Sequence, residues 1–190
     1  MKNRHSAALG RVVAAATFVL ACLASQIASA QPVSIASDAF PGVFLRLDGR
    51  LVTSFLPNGG GVVNGQFGTF AWEKFCVRQN ANGTVSFESV AFPRVFLHLD
   101  GRGITGFLSA GGGIVNAQLG AFAWEQFWPR QQLGLNKFTF ESVAFPNVFL
   151  RLDGRLVTSF LPNGGGTANA QFAAYGWEHF TRVTSTAGGC

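Results

Sequence analysis

Along residues 43–47 the chain reads Val-Phe-Leu-Arg-Leu, with Val43, Leu45 and Leu47 on one face and Phe44 and Arg46 on the other. This is the two-residue alternation of a half-buried strand. Asp48-Gly49 follows, a dipeptide suited to the positive φ of a tight turn. Leu51–Phe55 then reads as a second short strand, and residues 57–70 as a long glycine-rich connection ended by Ala71-Trp72-Glu73. Lys74–Gln79 is a third strand, Asn80–Gly83 a turn and Thr84–Ala91 a fourth strand. No segment carries a helical period of useful length.

The same pattern is written three times. Residues 43–61 and 148–166 are identical, and residues 95–113 are a looser copy. Pro41, Pro93 and Pro146 recur in step with Asp48, Asp100 and Asp153, and with Trp72, Trp124 and Trp177, at spacings of 52 and then 53 residues. Repeats at a fixed period are units that bury their apolar faces against each other. The spacing predicts repeats over approximately 35–86, 87–139 and 140–183, within a domain spanning 31–184 and followed by a tail, 185–190. The third repeat runs short after its third strand, Glu178–Val183. Val33–Ala36 aligns with the fourth strands of the other repeats, so the N-terminal strand is expected to close the ring and hide both free edges. Three four-stranded units in a closed ring predict an all-β fold, a β-trefoil: six strands form a barrel and three hairpins cap one end. Most of the phenylalanines are expected in the shared core.

Composition changes the picture at the N-terminus. Lys2, Arg4 and Arg11 precede the apolar stretch Val12–Leu23, and Ala28-Ser29-Ala30 supplies small residues before Gln31. This is the grammar of a secretory signal peptide (1–30), with cleavage expected between Ala30 and Gln31. A loose lipobox ending at Cys22 supplies a lipoprotein alternative. The expected location is secreted or periplasmic. The net charge of +5 comes largely from the leader; without its three cations, 11 Lys+Arg face 9 Asp+Glu, a net of +2. No basic stripe remains, which argues against nucleic acid as a partner, and no mature segment is apolar enough to span a bilayer as a helix. Export permits a disulfide between Cys76 and Cys190, but the sequence leaves a bridge, a free thiol and an intermolecular link all open. No spacing resembles a metal site, and no cofactor motif is present.

The stretches FESVAFPNVFLRLDG (140–154), FESVAFPRVFLHLDG (87–101) and the glycine-rich run into WEKF (59–75) resemble fascin-like β-trefoil repeats. The first two are also similar to the arabinose-binding trefoil domain of arabinofuranosidase B enzymes. The resemblance implies the trefoil fold and a sugar as ligand. The chain departs from the arabinose-binding pattern where that family carries a first-strand histidine, replaced here by Leu47, Leu99 and Leu152. It departs again where the family carries an aspartate, replaced by Trp72, Trp124 and Trp177.

Candidate chemistry comes in threes. Asp48, Asp100 and Asp153 are carboxylates able to accept bonds from sugar hydroxyls, or residues that simply start a turn. Arg46, His98 and Arg151 are expected to face solvent or a shallow groove. Glu73, Glu125 and Glu178 lie beside the three tryptophans, pairing a stacking face with a carboxylate, although a tryptophan in each repeat also suits a core. The amides Asn64/Gln66, Asn116/Gln118 and Asn169/Gln171 are expected to satisfy loop backbone groups. The pairs Phe55-Leu56, Phe107-Leu108 and Phe160-Leu161 form loop tips that either point outward or fold into the cap, the inward reading being favoured. No nucleophile sits in a recognised motif, and a catalytic role is not expected. These residues point to a carbohydrate-binding, lectin-like module with up to three weak equivalent sites. A protein-interaction or inhibitor module using the apolar tips is the alternative.

Overall fold

The computed structural model describes residues 31–134, 136–186 and 189–190. Among the described residues there are twelve strands: β1 (Val33–Ser37), β2 (Val43–Asp48), β3 (Val62–Phe67), β4 (Phe75–Gln79), β5 (Val85–Ser89), β6 (Val95–Asp100), β7 (Ile114–Leu119), β8 (Phe127–Gln131), β9 (Lys137–Ser142), β10 (Val148–Asp153), β11 (Thr167–Phe172) and β12 (Phe180–Thr184). Pairing runs β1–β4–β5–β8–β9–β12 and back to β1, a closed six-stranded barrel. The hairpins β2–β3, β6–β7 and β10–β11 cap it. The chain is a β-trefoil.

Closure works as the sequence predicted. β1 pairs with β12 along its whole length, Val33 opposite Thr184 and Ser37 opposite Phe180. Among the described residues no barrel edge is left to template aggregation. Ile35 is fully buried where the other two repeats place Phe87 and Phe140. These meet Phe75, Phe127 and Phe180 in the barrel, with Phe87 and Phe140 in edge contact at 4.9 Å. Leu45, Leu47, Leu97, Leu99, Leu150 and Leu152 fill the cap and are also fully buried.

Two expectations are corrected. Leu51–Phe55 is not the returning strand of the hairpin. The chain turns at Gly49, where Val52 N–H donates to the Gly49 carbonyl, sends Val52 into the core, and returns only at β3, with Asp48 opposite Val62. The return depends on Gly61 at φ +64°, where a Cβ would stand 2.5 Å from the Asp48 carbonyl oxygen. The glycine run is thus the turn itself, and Asn64 and Gln66 lie on a strand and not in an irregular connection. Nor are most of the phenylalanines fully buried. Phe75, Phe87, Phe127, Phe140 and Phe180 lie in the core and Phe40, Phe92, Phe138, Phe145 and Phe172 pack half-buried against it, whereas Phe55, Phe67, Phe70, Phe107, Phe122 and Phe160 are exposed.

Cys76 on β4 is joined to Cys190 by a disulfide, with Cα atoms 5.5 Å apart. Such bonds persist in oxidising compartments. The expected signal peptide, its Ala30–Gln31 cleavage site and the lipobox at Cys22 involve the leader, residues 1–30, which lies outside the described residues. Among the described residues no helix is long and apolar enough to cross a membrane.

Candidate functional site

The cap hairpins do not sit on the barrel independently; each reaches into the next repeat. Gln118 on β7 clamps the loop tip of repeat one: its Oε1 accepts from Leu56 N–H at 3.0 Å, and its Nε2 donates to the Leu56 carbonyl. Gln171 holds Leu108 in the same way, and Gln66 holds Leu161. Asn116, Asn169 and Asn64 donate to the Asn58, Ala110 and Asn163 carbonyls. The amides therefore do what the sequence suggested, across repeat boundaries. Buried backbone groups of an irregular loop need such partners.

Pinned by its leucine, each tip turns its phenylalanine outward. Phe55, Phe107 and Phe160 are 54%, 59% and 55% exposed. The expectation that they fold inward is overturned, because the neighbouring leucine backbone is the anchored element. Each ring meets an aromatic of the next repeat edge to face: Phe55 with Phe122, Phe107 with Tyr175 and Phe160 with Phe70, at 5.4, 5.2 and 5.1 Å. Three inter-repeat grooves result. The first is lined by Arg46, Gln66, Phe70, Trp72, Glu73 and Phe160, with a volume of about 280 Å³. The second is lined by Phe55, His98, Gln118, Phe122, Trp124 and Glu125, with about 570 Å³. The third is lined by Phe107, Arg151, Gln171, Tyr175, Trp177 and Glu178, with about 260 Å³.

The floor of each groove is a buried polar layer. Arg46, His98 and Arg151 are each only 2% exposed, so of the two settings expected, open solvent or a shallow groove, they take the groove, lining it from below. Glu73, Glu125 and Glu178 are 1% exposed. One oxygen of each accepts a backbone N–H three residues earlier, from Phe70, Phe122 and Tyr175, at 2.7–2.8 Å. The carboxylates thus fix the short turn that presents the rim aromatic. The other oxygen faces the layer: Glu73 Oε1 lies 3.9 Å from Arg46 Nε and Glu178 Oε1 lies 3.6 Å from Arg151 Nε. Glu125 Oε1 bonds His98 Nδ1 at 2.5 Å. Burial pushes the Glu73 and Glu178 carboxyls up, and pushes the Arg46 and Arg151 guanidiniums down.

The aspartates lie beside this layer. Arg46 Nη2 is 3.7 Å from Asp48 Oδ2, so Arg46, Asp48 and Glu73 do converge. Asp48, Asp100 and Asp153 are nevertheless engaged by the arginine two residues later. Arg50 donates to Asp48 through Nε at 3.0 Å and Nη2 at 2.7 Å; Arg102 and Arg155 repeat the fork on Asp100 and Asp153. These side-chain bonds hold all three carboxyls below the usual range. The same guanidiniums lie over Trp72, Trp124 and Trp177, at 4.8, 5.0 and 4.8 Å from the ring centres. Each half-buried tryptophan also packs on the proline-flanked phenylalanine of the following repeat: Trp72 on Phe92, Trp124 on Phe145 and Trp177 on Phe40.

Sequence reasoning missed Arg50, Arg102 and Arg155, and the rim residues Phe70, Phe122 and Tyr175. The rim had a signal: each precedes its tryptophan by two residues in every repeat. Among the described residues no group of three or more potential metal ligands comes together.

The fold with its three inter-repeat grooves defines a β-trefoil, and comparison places the chain among solved trefoils. No protein-family model matches the chain, and no curated protein does so either. A designed threefold symmetric protein, ThreeFoil, matches with a TM-score of 0.59 at 9% identity, over 81% of this chain and 99% of its own. A mosquitocidal holotoxin matches with a TM-score of 0.61 at 10% identity, over 84% of this chain and 18% of the toxin. An arabinofuranosidase complexed with arabinofuranosyl-alpha-1,2-xylobiose is similar at 16% identity and a TM-score of 0.49, over 82% of this chain and 31% of the enzyme. The chain thus spans less than a third of the last two. The likeness to ThreeFoil and to the holotoxin establishes the fold and says nothing of the ligand.

Proposed function

We propose that the protein is an exported carbohydrate-binding module in which the three inter-repeat grooves are the sugar sites. The observation that carries this reading is the exposed pair of aromatic rings walling each groove, above a tryptophan and a buried polar floor. Aromatic faces stack on the C–H surface of a sugar ring, and few, fixed polar groups set orientation in such clefts. In the first groove Arg46 Nη2 makes no hydrogen bond, and Asp48 Oδ2 lies 3.7 Å from it as an ion-pair partner.

The nine polar residues Arg46, Asp48, Glu73, His98, Asp100, Glu125, Arg151, Asp153 and Glu178 divide by role. The basic residues and glutamates form the floor, while the aspartates hold the arginines that cover the tryptophans. Three weak sites on one rigid body retain a polymer or a glycan-coated surface by avidity, far beyond any single affinity. No covalent step is proposed. The same exposed Phe tips support a second reading, a protein-interaction or inhibitor module.

A glycan array probed with the purified 31–190 chain tests the proposal. Retention on a defined glycan class, lost on competition with the soluble oligosaccharide, is expected. An array on which nothing is retained overturns it in favour of the protein-partner reading.

A further inference from the structure

The second groove differs from the other two at one interior position. In the first and third, a buried arginine places its guanidinium 4.5 and 4.4 Å from the tryptophan centre. There Nη1 donates to the Asn64 or Asn169 Oδ1, at 3.3 and 2.9 Å, and Nε faces Glu73 or Glu178. In the second groove the residue is His98. Its ring is 5.3 Å from Trp124 and its Nδ1 bonds Glu125, but it is too short to reach Asn116. Two buried atoms are left without hydrogen-bond partners, His98 Nε2 and Asn116 Oδ1. Asn116 Nδ2 donates to Asn58 O, which fixes the amide with Oδ1 as the orphan. The groove is also about twice as large as its two counterparts.

Charge points the same way. Around Trp72 the cations Arg46 and Arg50 balance Asp48 and Glu73, and around Trp177 Arg151 and Arg155 balance Asp153 and Glu178. Around Trp124 the second guanidinium is missing: Arg102 pairs with Asp100, and Glu125 faces His98 where the other grooves have an arginine. A buried carboxylate without a counter-charge is unfavourable. Asn116 Oδ1 is an acceptor, and His98 Nε2 is one in the tautomer whose Nδ1 donates to Glu125. The vacancy therefore calls for a donor with positive charge and a flat face that lies on an aromatic ring.

We propose that the second groove binds a guanidinium group supplied from outside, the side chain of an arginine or of an arginine-bearing ligand, in the place the chain's own arginine takes in the other two. Phe55, Phe122 and Trp124 wall the cation, Glu125 supplies the charge, and the two orphaned acceptors receive its N–H groups. This goes beyond the carbohydrate reading and stands or falls separately from it.

The test is a titration of the intact 31–190 protein with methylguanidinium, with neutral methylurea as the isosteric control, followed by the indole N–H resonances of its tryptophans. The expected result is a saturable shift at Trp124, with Trp72, Trp128 and Trp177 unmoved, no comparable response to methylurea, and loss of the shift in a folded His98→Arg variant. No shift at Trp124, an equal shift with methylurea, or equal shifts at all the tryptophans would overturn the proposal without any variant being needed. Equal binding by the folded His98→Arg protein would overturn it as well.

Discussion

The first and second cap hairpins share strand register, turn and amide clamp, yet one is filled from within and the other is hollow. Arg46 spans the space from Glu73 to Asn64; His98 stops at Glu125 and leaves Asn116 Oδ1 unmatched. The difference teaches that the polar layer is not required to be identical for the trefoil to close, because barrel and cap are fixed by the leucines and phenylalanines beneath it. What the layer decides is how much of each groove is open. A residue nearly invisible from solvent thus sets the size and charge of a surface groove.

Breaking the layer should give the largest effect. Arg46→Ala or Arg151→Ala strands a buried glutamate, and each is expected to cost about 3 kcal/mol. His98→Ala leaves Glu125 short of one hydrogen bond and should cost roughly 2 kcal/mol or less. Urea denaturation of the three variants checks the order, and an equal cost would mean that the repeats do not differ as described. His98→Arg sharpens the comparison from the other side. It gives Asn116 Oδ1 a donor and should stabilise by about 1 kcal/mol, raising Tm by roughly 3 °C. A lower Tm would mean that the vacated space cannot take the longer side chain.

Acid should act on the aspartates with a defined sign. Asp48, Asp100 and Asp153 are held low by Arg50, Arg102 and Arg155. Below the unfolded value, about 3.9, the unfolded chain takes up protons first. Their stabilisation is therefore complete above that pH and is lost as pH falls through the depressed values. Glu73 and Glu178 run the opposite way: they favour the fold when protonated, and that contribution fades as pH rises from about 4.3 through their raised values. Replacing the three aspartates by asparagine should flatten the loss of Tm between about pH 4 and pH 2. An acid limb as steep as before would remove these pairs from the stability account.

Periodicity made the barrel legible, since exact repetition and an orphan strand at each end leave few ways to close. The turn after Asp48 was misread because Asp-Gly signals a two-residue hairpin locally, and only the long register of β2 with β3 reveals the detour through Gly61. The burial of Arg46 was missed for a related reason. Alternation puts it opposite Leu45 and Leu47, but in a cap hairpin both faces are covered, one by the core and one by the next repeat. The rim aromatics were hidden because exposure of a phenylalanine is decided by its neighbour's backbone: Leu56, Leu108 and Leu161 are anchored by glutamines more than sixty residues away.

The central claim, that the outward aromatic tips wall ligand sites, is tested most directly by the change expected to disturb the fold least. Phe55, Phe107 and Phe160, each more than half exposed, are replaced together by Ser, and retention on the glycan identified by array is compared with that of the unaltered protein. Substitutions at such positions typically move stability by only about 0.5 kcal/mol each. The account predicts a folded trefoil whose glycan retention falls more than about tenfold, as expected when linked sites are lost together. A folded triple variant that holds the glycan as tightly as before would contradict it.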